Sequence, residues 1–395
     1  MSTILVFNAG SSSLKWSLID AGSNEPRGVG IASRVGADDS SLRFSLGERT
    51  VDHDQVTYAD HRQALRGALD AMDQVDPAWR DEIVGVGHRV VHGGKDFTQP
   101  TVINHRTAHV LEDLNELAPL HNGRAIAVVD AARRAFPGVP QIACFDTMFH
   151  SGLPPEAAEY ALPRRITERH GIRRYGFHGL SCAWSMERLQ ALQVTPLERV
   201  IICHLGAGAS VTAVLNGRSI DTSMGFTPLE GLIMATRSGS IDPSIVLYLQ
   251  RHAGLDAEQI DHMLERESGL CGLSGISGDV QQLEQQAGTG NARAEQALST
   301  FAYRVRAYIG AYFAVLGGLD VLVLTGGIGE HSYDMRLRIL EPLGHLGIAP
   351  AEEGAEGGAY QVSPRGSGVA VWVIPAEEER VIAGMVSTLL KRQGA

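Results

Sequence analysis

Cysteine is scarce in this chain: only Cys144, Cys182, Cys203 and Cys271 occur, far apart in sequence. No two lie at the close spacing that binds zinc, and no second histidine stands at zinc spacing from His121, so free, buried thiols are expected. Cationic excess is missing as well. The 34 Lys and Arg stand against 45 Asp and Glu, and a net charge of −11 argues against a nucleic-acid partner. Small anions remain open to it, because a few local cations and backbone N–H groups suffice to hold them. There is no membrane-length apolar run either. Ala307 to Leu319, continuing through Val321–Leu324, is broken by Gly317-Gly318 and Asp320, which fits a helix, a turn and a buried strand. The Met-Ser-Thr-Ile-Leu start carries neither the basic region nor the cleavage site of a secretory signal, so the expectation is a cytoplasmic protein that neither enters nor crosses a membrane.

What is present is ample for folding. With 44% apolar and 20% charged residues over 395 positions, the composition excludes a disordered chain and leaves room for two domains. The stretch Asp221–Asp242 is too apolar for a surface loop, and Gly225, Pro228, Gly231 and Gly239 break it too often for one helix. A buried irregular segment is expected, with backbone that must find partners or line a cavity. Its one cation, Arg237, needs a carboxylate or a phosphate once it loses water. A structural pair with Asp242 and a clamp for a substrate anion both satisfy that need.

The chain opens with an apolar strand from Thr3 to Phe7, a small polar turn Asn8–Ser13, and an alternating strand from Leu14 to Ile19. Gly10, the serines Ser11, Ser12 and Ser13, and Lys15 suit a phosphate, although a Gly/Ser turn by itself is most often only a turn. The same arrangement returns at Val200, where a strand meets His204-Leu205-Gly206-Ala207-Gly208 and a second strand runs through Val211–Leu215. Two such hairpins half a chain apart indicate a duplicated domain, whose tips could hold the two ends of a polyphosphate. Between them helix and strand alternate: helical spacing from Ala59 to Val75, Thr107 to Leu117 and Gly123 to Phe136, and strands at Ile83–Val91 and Gln141–Phe145. Short antiparallel strands are expected from Ser23 to His53. Arg89 and Asp146 close strands, where ligands bind in open α/β sheets. His178 sits between glycines and, taken alone, reads as a satisfied structural histidine. Beyond Asp242, helices are expected over Pro243–Ala253, Ala257–Glu267 and Ala292–Leu316, with Ser274–Asp279 a turn capping the helix that follows. Asp320–Leu324 should be a strand ending in the turn Gly326–Glu330, Ala351–Gly358 an exposed loop, Val369–Ile374 the last strand, and a helix should follow the acidic Glu377-Glu378-Glu379.

Taken together, Asn8–Lys15, Gly87–Gly94, Leu117–Asn122, Phe145–Thr147, Arg173–Gly179, His204–Gly208, Asp221–Asp242 and Gly326–Glu330 span nearly the whole chain and resemble the acetate and propionate kinase family. Asp221–Asp242 and the Tyr-Gly-Phe-His block carry the specificity, whereas the glycine turns are shared with the wider sugar kinase, Hsp70 and actin-like superfamily. The resemblance implies an α/β fold, the duplicated two-domain actin-like ATPase (ribonuclease H-like) architecture with an interdomain cleft. The expected domains are 1–148, completed by a C-terminal helix 380–395, and a nucleotide-binding domain 149–379. It further implies a homodimer and reversible phosphoryl transfer between ATP and acetate, giving ADP and acetyl phosphate, with Mg²⁺, or Mn²⁺ in its place. Propionate kinase, or a broader short-chain acyl kinase, is the alternative.

By the same resemblance, Arg89 and Arg237 hold the carboxylate and the migrating phosphoryl group, and His178 steadies the transition state. Such groups suit charge spread over equatorial oxygens. Asp146 matches the family's catalytic aspartate. Acetate is already ionised at neutral pH, so an orienting role for Asp146, on an arginine or on the metal's water shell, fits better than a base. Val91, Leu120, Phe177 and Pro228 match the acyl-methyl pocket, and His121, from its own surroundings, reads as a core or positioning residue of the substrate site rather than a metal ligand. Ser11, Ser13, Lys15 and His204, Leu205, Gly206, Ala207, Gly208 match the phosphate contacts. Asp279, Val280, Gln281 with Gly327, Ile328, Gly329, Glu330, His331 match the adenosine side, and Asn8 and Glu378 the metal side. Departures concentrate on the nucleotide: Ala207 stands for the usual Asn, Gln281 for Arg and His331 for Asn, from which altered nucleotide affinity or base selectivity is expected. Cys182 for His, Ser240 for Asp and Gly123-Arg124 for a proline pair are read as changes behind the site. A nucleotide-clamping regulator would not need Arg89, His178, Arg237 and an apolar pocket together, and a sugar kinase would need a base and a polar sugar site.

Overall fold

The computed structural model describes residues 2–114, 119–349 and 358–393, with the backbone alone for 119–121 and 393. The loop expected from Ala351 therefore falls almost wholly outside the described residues. The chain divides into two compact units, Met1–Met148 with Glu377–Ala395, and Phe149–Ala376.

The first unit is an eight-stranded sheet, formed by β1 (Thr3–Ala9), β2 (Ser13–Asp20), β3 (Pro26–Ser33), β4 (Ser40–Leu46), β5 (Arg49–Val56), β6 (Ile83–Val90), β7 (Thr101–Val102) and β8 (Gln141–Phe145). Their spatial order is β5-β4-β3-β2-β1-β6-β8-β7. β1 to β5 run antiparallel in sequence order, whereas β1, β6 and β8 are parallel. Every residue of β1 is buried, as a strand covered on both faces requires. Leu5 and Phe7 join the apolar cluster built with Trp16, Ala64 and Val128, against helices His61–Val75 and Pro119–Ala135. The opposite face bears Ile4 and Val6 on β1 and, on β6, Gly85 and Gly87. A Cβ at Gly87 would lie 2.5 Å from Ile382, and one at Gly85 2.9 Å from Leu390. The two glycines thus let helix Glu378–Gln393 lie directly on the sheet.

The second unit holds β9 (Arg199–Leu205), β10 (Ala209–Leu215), β11 (Arg218–Thr222), β12 (Val321–Thr325), β13 (Tyr360–Gln361) and β14 (Ala370–Val373), in the order β11-β10-β9-β12-β14-β13. β9, β10 and β11 are antiparallel; β9, β12 and β14 are parallel; β13 returns antiparallel to β14. This repeats strand for strand the pattern β3-β2-β1-β6-β8-β7 of the first unit, so the duplication seen in two hairpins extends to six strands. The 25-residue helix Ala292–Leu316 buries Phe301, Val305 and Ile309, is capped by Asn291, and stops at Gly317 (φ +68°).

Local differences from the sequence reading have identifiable causes. β12 begins at Val321, one residue later than expected; Asp320 still bonds both neighbouring strands through its backbone, and its carboxylate accepts from the Arg199 N–H at 2.9 Å and from its Nε at 3.2 Å. The helices expected over 243–253 and 257–267 are helical throughout, but each widens into a π turn, at Leu249–Ala253 and Met263–Glu267, a distinction that residue spacing does not encode. Gly326–His331 is a helical turn following directly on β12, with Gly326 (φ +76°) seated against the Leu205 carbonyl.

Candidate functional site

In the first unit, Asn8 and Arg89 continue the alternation that sends Val6 and Gly87 toward helix Glu378–Gln393, so at the strand ends they meet its first turn. Arg89 is gripped by Asp146, which follows β8: Nε donates to Oδ1 at 2.8 Å and Nη2 to Oδ2 at 2.6 Å. Its Nη1 donates to Asn8 Oδ1 at 3.0 Å, and Asn8 Nδ2 donates to Glu379 Oε1 at 3.0 Å and Glu378 Oε2 at 3.3 Å. Glu378 lies 3.4 Å from Arg89 Nε. Burial acts against the Arg89 charge, yet Asp146 and Glu378 hold its pKa above the ordinary value, so it stays cationic. Burial pushes Glu378 up to about 7; Arg89 opposes the rise, while Asp146 and Glu379 add to it. Lys15, paired with Asn8 across the first hairpin, also favours the Glu378 anion.

Three carboxylates around Arg89 leave a local excess of negative charge. That suits a small divalent cation, with Asn8 and Glu378 offering oxygen donors. No group of three or more His, Cys, Asp or Glu able to hold a metal occurs among the described residues, so an ion here would draw most ligands from water and substrate, as Mg²⁺ commonly does. At the hairpin tip Gly10 N–H donates to the Ser13 carbonyl at 2.8 Å, with Ser11 exposed and Ser13 half-buried. Val91, just past β6, is buried. Leu120 and His121 begin helix Pro119–Ala135, and their side chains lie outside the described residues.

In the second unit the site is built around the second hairpin tip. Ala235 N–H donates to the Ala207 carbonyl at 3.1 Å, tying the irregular segment to the tip. The segment is braced from behind: Leu270 N–H donates to the Met234 carbonyl at 2.8 Å and Cys271 N–H to the Ala235 carbonyl at 2.9 Å. Arg237 pairs not with Asp242 but with Glu265, Nε to Oε2 at 2.9 Å. Asp242 instead caps the next helix, accepting from Ser244 N–H at 2.9 Å. Held through Nε, Arg237 turns its fork toward the tip: a Cβ on Gly208 would lie 3.8 Å from Arg237 Nη1 and 3.3 Å from His178 Nε2. A Cβ on Gly206 would lie 3.9 Å from His204 Nε2 and 3.9 Å from the Gly327 N–H nitrogen. Four nitrogens therefore crowd over a tip whose glycines leave the space open.

His178 reaches this place through a left-handed backbone (φ +57°, ψ +23°) at the start of helix Gly179–Ala191. The turn is held by buried His150, whose Nε2 donates to the Phe177 carbonyl at 2.9 Å while Nδ1 accepts from Ser219 Oγ at 2.8 Å. Burial lowers His150 to about 4, which keeps the ring neutral and able to make both bonds. His178 Nδ1 bonds Ser210 Oγ at 3.0 Å and His204 Nδ1 bonds Ser181 Oγ at 2.8 Å. Leu205 ends β9 and is buried, as are Phe177 and Pro228.

Of the residues matched to the adenosine side, Asp279 caps helix Val280–Gly288, accepting from Gln282 N–H at 2.9 Å; Val280 is buried and Gln281 exposed. Gly327 is exposed, Ile328 half-buried and Gly329 buried. Glu330 accepts from Ala376 N–H at 3.0 Å, which ties this turn to the segment that follows β14, and His331 is exposed. Sequence reasoning missed Glu265, His150, Ser181, Ser210 and Ser219. Spacing misleads for two of them: Ser181 stands one helical turn from His178 and Ser210 opposite His204 across β9 and β10, yet each bonds the other element's histidine.

A family model described as the acetokinase family matches residues 3–384. An acetate kinase of Leifsonia xyli subsp. xyli is 46% identical over 389 residues, covering 97% of this chain and 98% of the relative. One of Halothermothrix orenii is 43% identical over 389 residues, covering 96% and 97%. Among solved structures, the acetate kinase of Porphyromonas gingivalis superposes with a TM-score of 0.88 at 36% identity, covering 99% of this chain and all of that one. A propionate kinase from Francisella tularensis subsp. tularensis superposes with a TM-score of 0.90 at 36% identity, covering 98% of this chain and all of that one. The duplicated sheets are those of the actin-like ATPase fold. The chain belongs to the acetokinase family and is a phosphotransferase with a carboxyl group as acceptor.

Proposed function

We propose that the protein moves the γ-phosphoryl group of ATP directly to acetate, reversibly, giving ADP and acetyl phosphate. The convergence of Arg237 Nη1 and His178 Nε2 over Gly208 carries this reading. A phosphoryl group in transfer is planar and anionic on its equatorial oxygens, and a guanidinium and an imidazole N–H held in place in advance lower its energy without reorganising. His204 and the N–H groups of Ala207, Gly208 and Gly327 take the donor phosphates, close over the side-chain-free Gly206, with Ser11, Ser13 and Lys15 as further phosphate contacts. Arg89 takes the acetate carboxylate. Asp146 holds Arg89 by two hydrogen bonds and acts as its orienter, since acetate is already ionised at neutral pH and needs no base. Asn8 and Glu378 hold Mg²⁺ or Mn²⁺, which neutralises charge on the phosphates when bound. Val91, Leu120, Phe177 and Pro228 receive the methyl group. An extra methylene costs such a pocket about 1–3 kcal/mol, so propionate is a poorer substrate rather than an excluded one. Asp279–Gln281 and Gly327–His331 take the adenosine, with Ala207, Gln281 and His331 tuning nucleotide choice. Free cysteines and an ATP substrate fit action in the cytoplasm.

The homodimer is assigned to one face. Ile241 is 36% exposed, Ile245 44%, Leu247 48% and Tyr248 61%, exposed apolar side chains on and beside helix Pro243–Tyr248, which has no buried residue and which a second copy of the chain would cover. Wild-type protein should sediment as a dimer and an Ile245→Asp/Tyr248→Asp variant as a folded monomer; an unchanged dimer would move the interface elsewhere.

With ATP, Mg²⁺ and acetate, hydroxylamine should trap acetyl phosphate as the hydroxamate, and Arg237→Ala should lower kcat by about 10²–10³-fold. ATP hydrolysis without acyl phosphate from acetate, propionate or butyrate would refute the assignment. Glu378 yields a pH-dependent expectation. Its folded pKa, about 7, is raised above the ordinary 4.5, so its contribution to stability is fully present below about 4.5 and lost as pH rises through about 7. Without Mg²⁺, Glu378→Gln should therefore melt above wild type at pH 8, with the gap closing toward pH 5. Added Mg²⁺ should raise the wild-type midpoint at pH 8 and leave the variant's nearly unmoved; equal midpoints throughout would contradict this.

A further inference from the structure

Helix Gly179–Ala191 and the β9–β10 hairpin each contribute one histidine and one serine, and each histidine bonds the other element's serine. From the helix end come His178 and Ser181, one turn apart; from the hairpin come His204 and Ser210, directly opposite in register. His178 Nδ1 lies 3.0 Å from Ser210 Oγ, His204 Nδ1 lies 2.8 Å from Ser181 Oγ, and the ring centroids are 4.2 Å apart, tilted by 30°. We propose that Ser181 and Ser210 are positioning residues that set both imidazoles in the same tautomer, with Nδ1 as acceptor and the Nε2 proton directed over Gly206–Gly208. The inference rests on the phosphoryl-transfer reading above.

Both serines are fully buried, and a buried O–H must donate to something. The acceptor in reach of each is an imidazole Nδ1, and a neutral ring that accepts at Nδ1 carries its proton on Nε2. Each Nε2 is the nitrogen that lies over a tip glycine. The opposite tautomer would turn two lone pairs toward phosphate oxygens. Stacking reinforces the choice, because two neutral rings pack at this distance without the repulsion that two imidazolium charges would suffer. Crossing the bonds between elements also means that neither ring can rotate without breaking a contact to the other element. The box thus sets the direction of both donors, while Arg237 supplies the charge.

The test is tautomer-sensitive long-range ¹H–¹⁵N correlation on the full chain with ¹⁵N-labelled histidine, run beside steady-state kinetics. Wild type should show His178 and His204 protonated on Nε2. Ser210→Ala should turn the His178 signal into a mixture and lower kcat by about tenfold to a hundredfold, with little change in KM for acetate. Ser210→Thr should restore both readouts, and Ser181→Ala should shift the His204 signal. An Nδ1–H tautomer for His178 in wild type would overturn the proposal, as would Ser210→Ala with wild-type tautomer and kcat. Should Ser210→Ala fail to fold, the wild-type spectrum and Ser181→Ala decide. The spectra require no turnover, so an error in the tautomers is distinguishable from an error in the assigned reaction.

Discussion

A buried guanidinium must bring its counter-charge with it, and both candidate clusters are shaped by that requirement. The side chains of Arg89 and Arg237 are 18% and 20% exposed. Each is held through Nε by a carboxylate from a distant part of the sequence, Asp146 for the first and Glu265 for the second. Holding the guanidinium at Nε, and for Arg89 through both outer nitrogens as well, fixes the direction of its remaining N–H groups, so they arrive preorganised rather than searching. In the first unit the same requirement draws in Asn8 and, through it, the start of the last helix. In the second it draws in the 264–271 segment, whose N–H groups pair with the carbonyls that flank Arg237.

Duplication supplied two copies of one sheet, and the two have diverged where the hairpins turn. The first tip keeps hydroxyls and a lysine; the second keeps glycines and gains a histidine. This difference follows what approaches each tip. Gly206 and Gly208 lie beneath His204, His178 and Arg237, and side chains there would fill the space those groups surround. At the first tip no comparable crowd exists among the described residues, and the small polar side chains remain.

The fold was legible where burial writes a pattern. β1 and β9 are near-continuous apolar runs ending in small polar turns, and both hairpins stand where that pattern places them. The irregular Asp221–Asp242 stretch was legible from its conflict: apolar composition with too many breakers. The partner of Arg237 was not, because Asp242 and Glu265 are equally acidic on paper, and the choice depends on a brace between segments far apart in sequence. Nor were Ser181 and Ser210, since serine in a helix or strand is unremarkable until its neighbours in space are known. The seat of the last helix depends on Gly85 and Gly87, which read as weak points in a strand and act as clearance for Ile382 and Leu390. The same close seating brings Glu378 and Glu379 to Asn8, two ends of the chain that sequence reading associated only through family resemblance.

On the proposed reading, these groups stabilise a phosphoryl group passing straight from donor to acceptor, with no covalent stop on the protein. The stereochemical course at phosphorus tests it most directly. Turnover of ATP made chiral at the γ-phosphorus with oxygen isotopes, followed by analysis of the acetyl phosphate formed, should show inversion, the signature of a single in-line displacement. Retention would require two displacements and hence a phosphorylated enzyme, with His178 or His204 as nucleophile rather than donor, and would contradict the account.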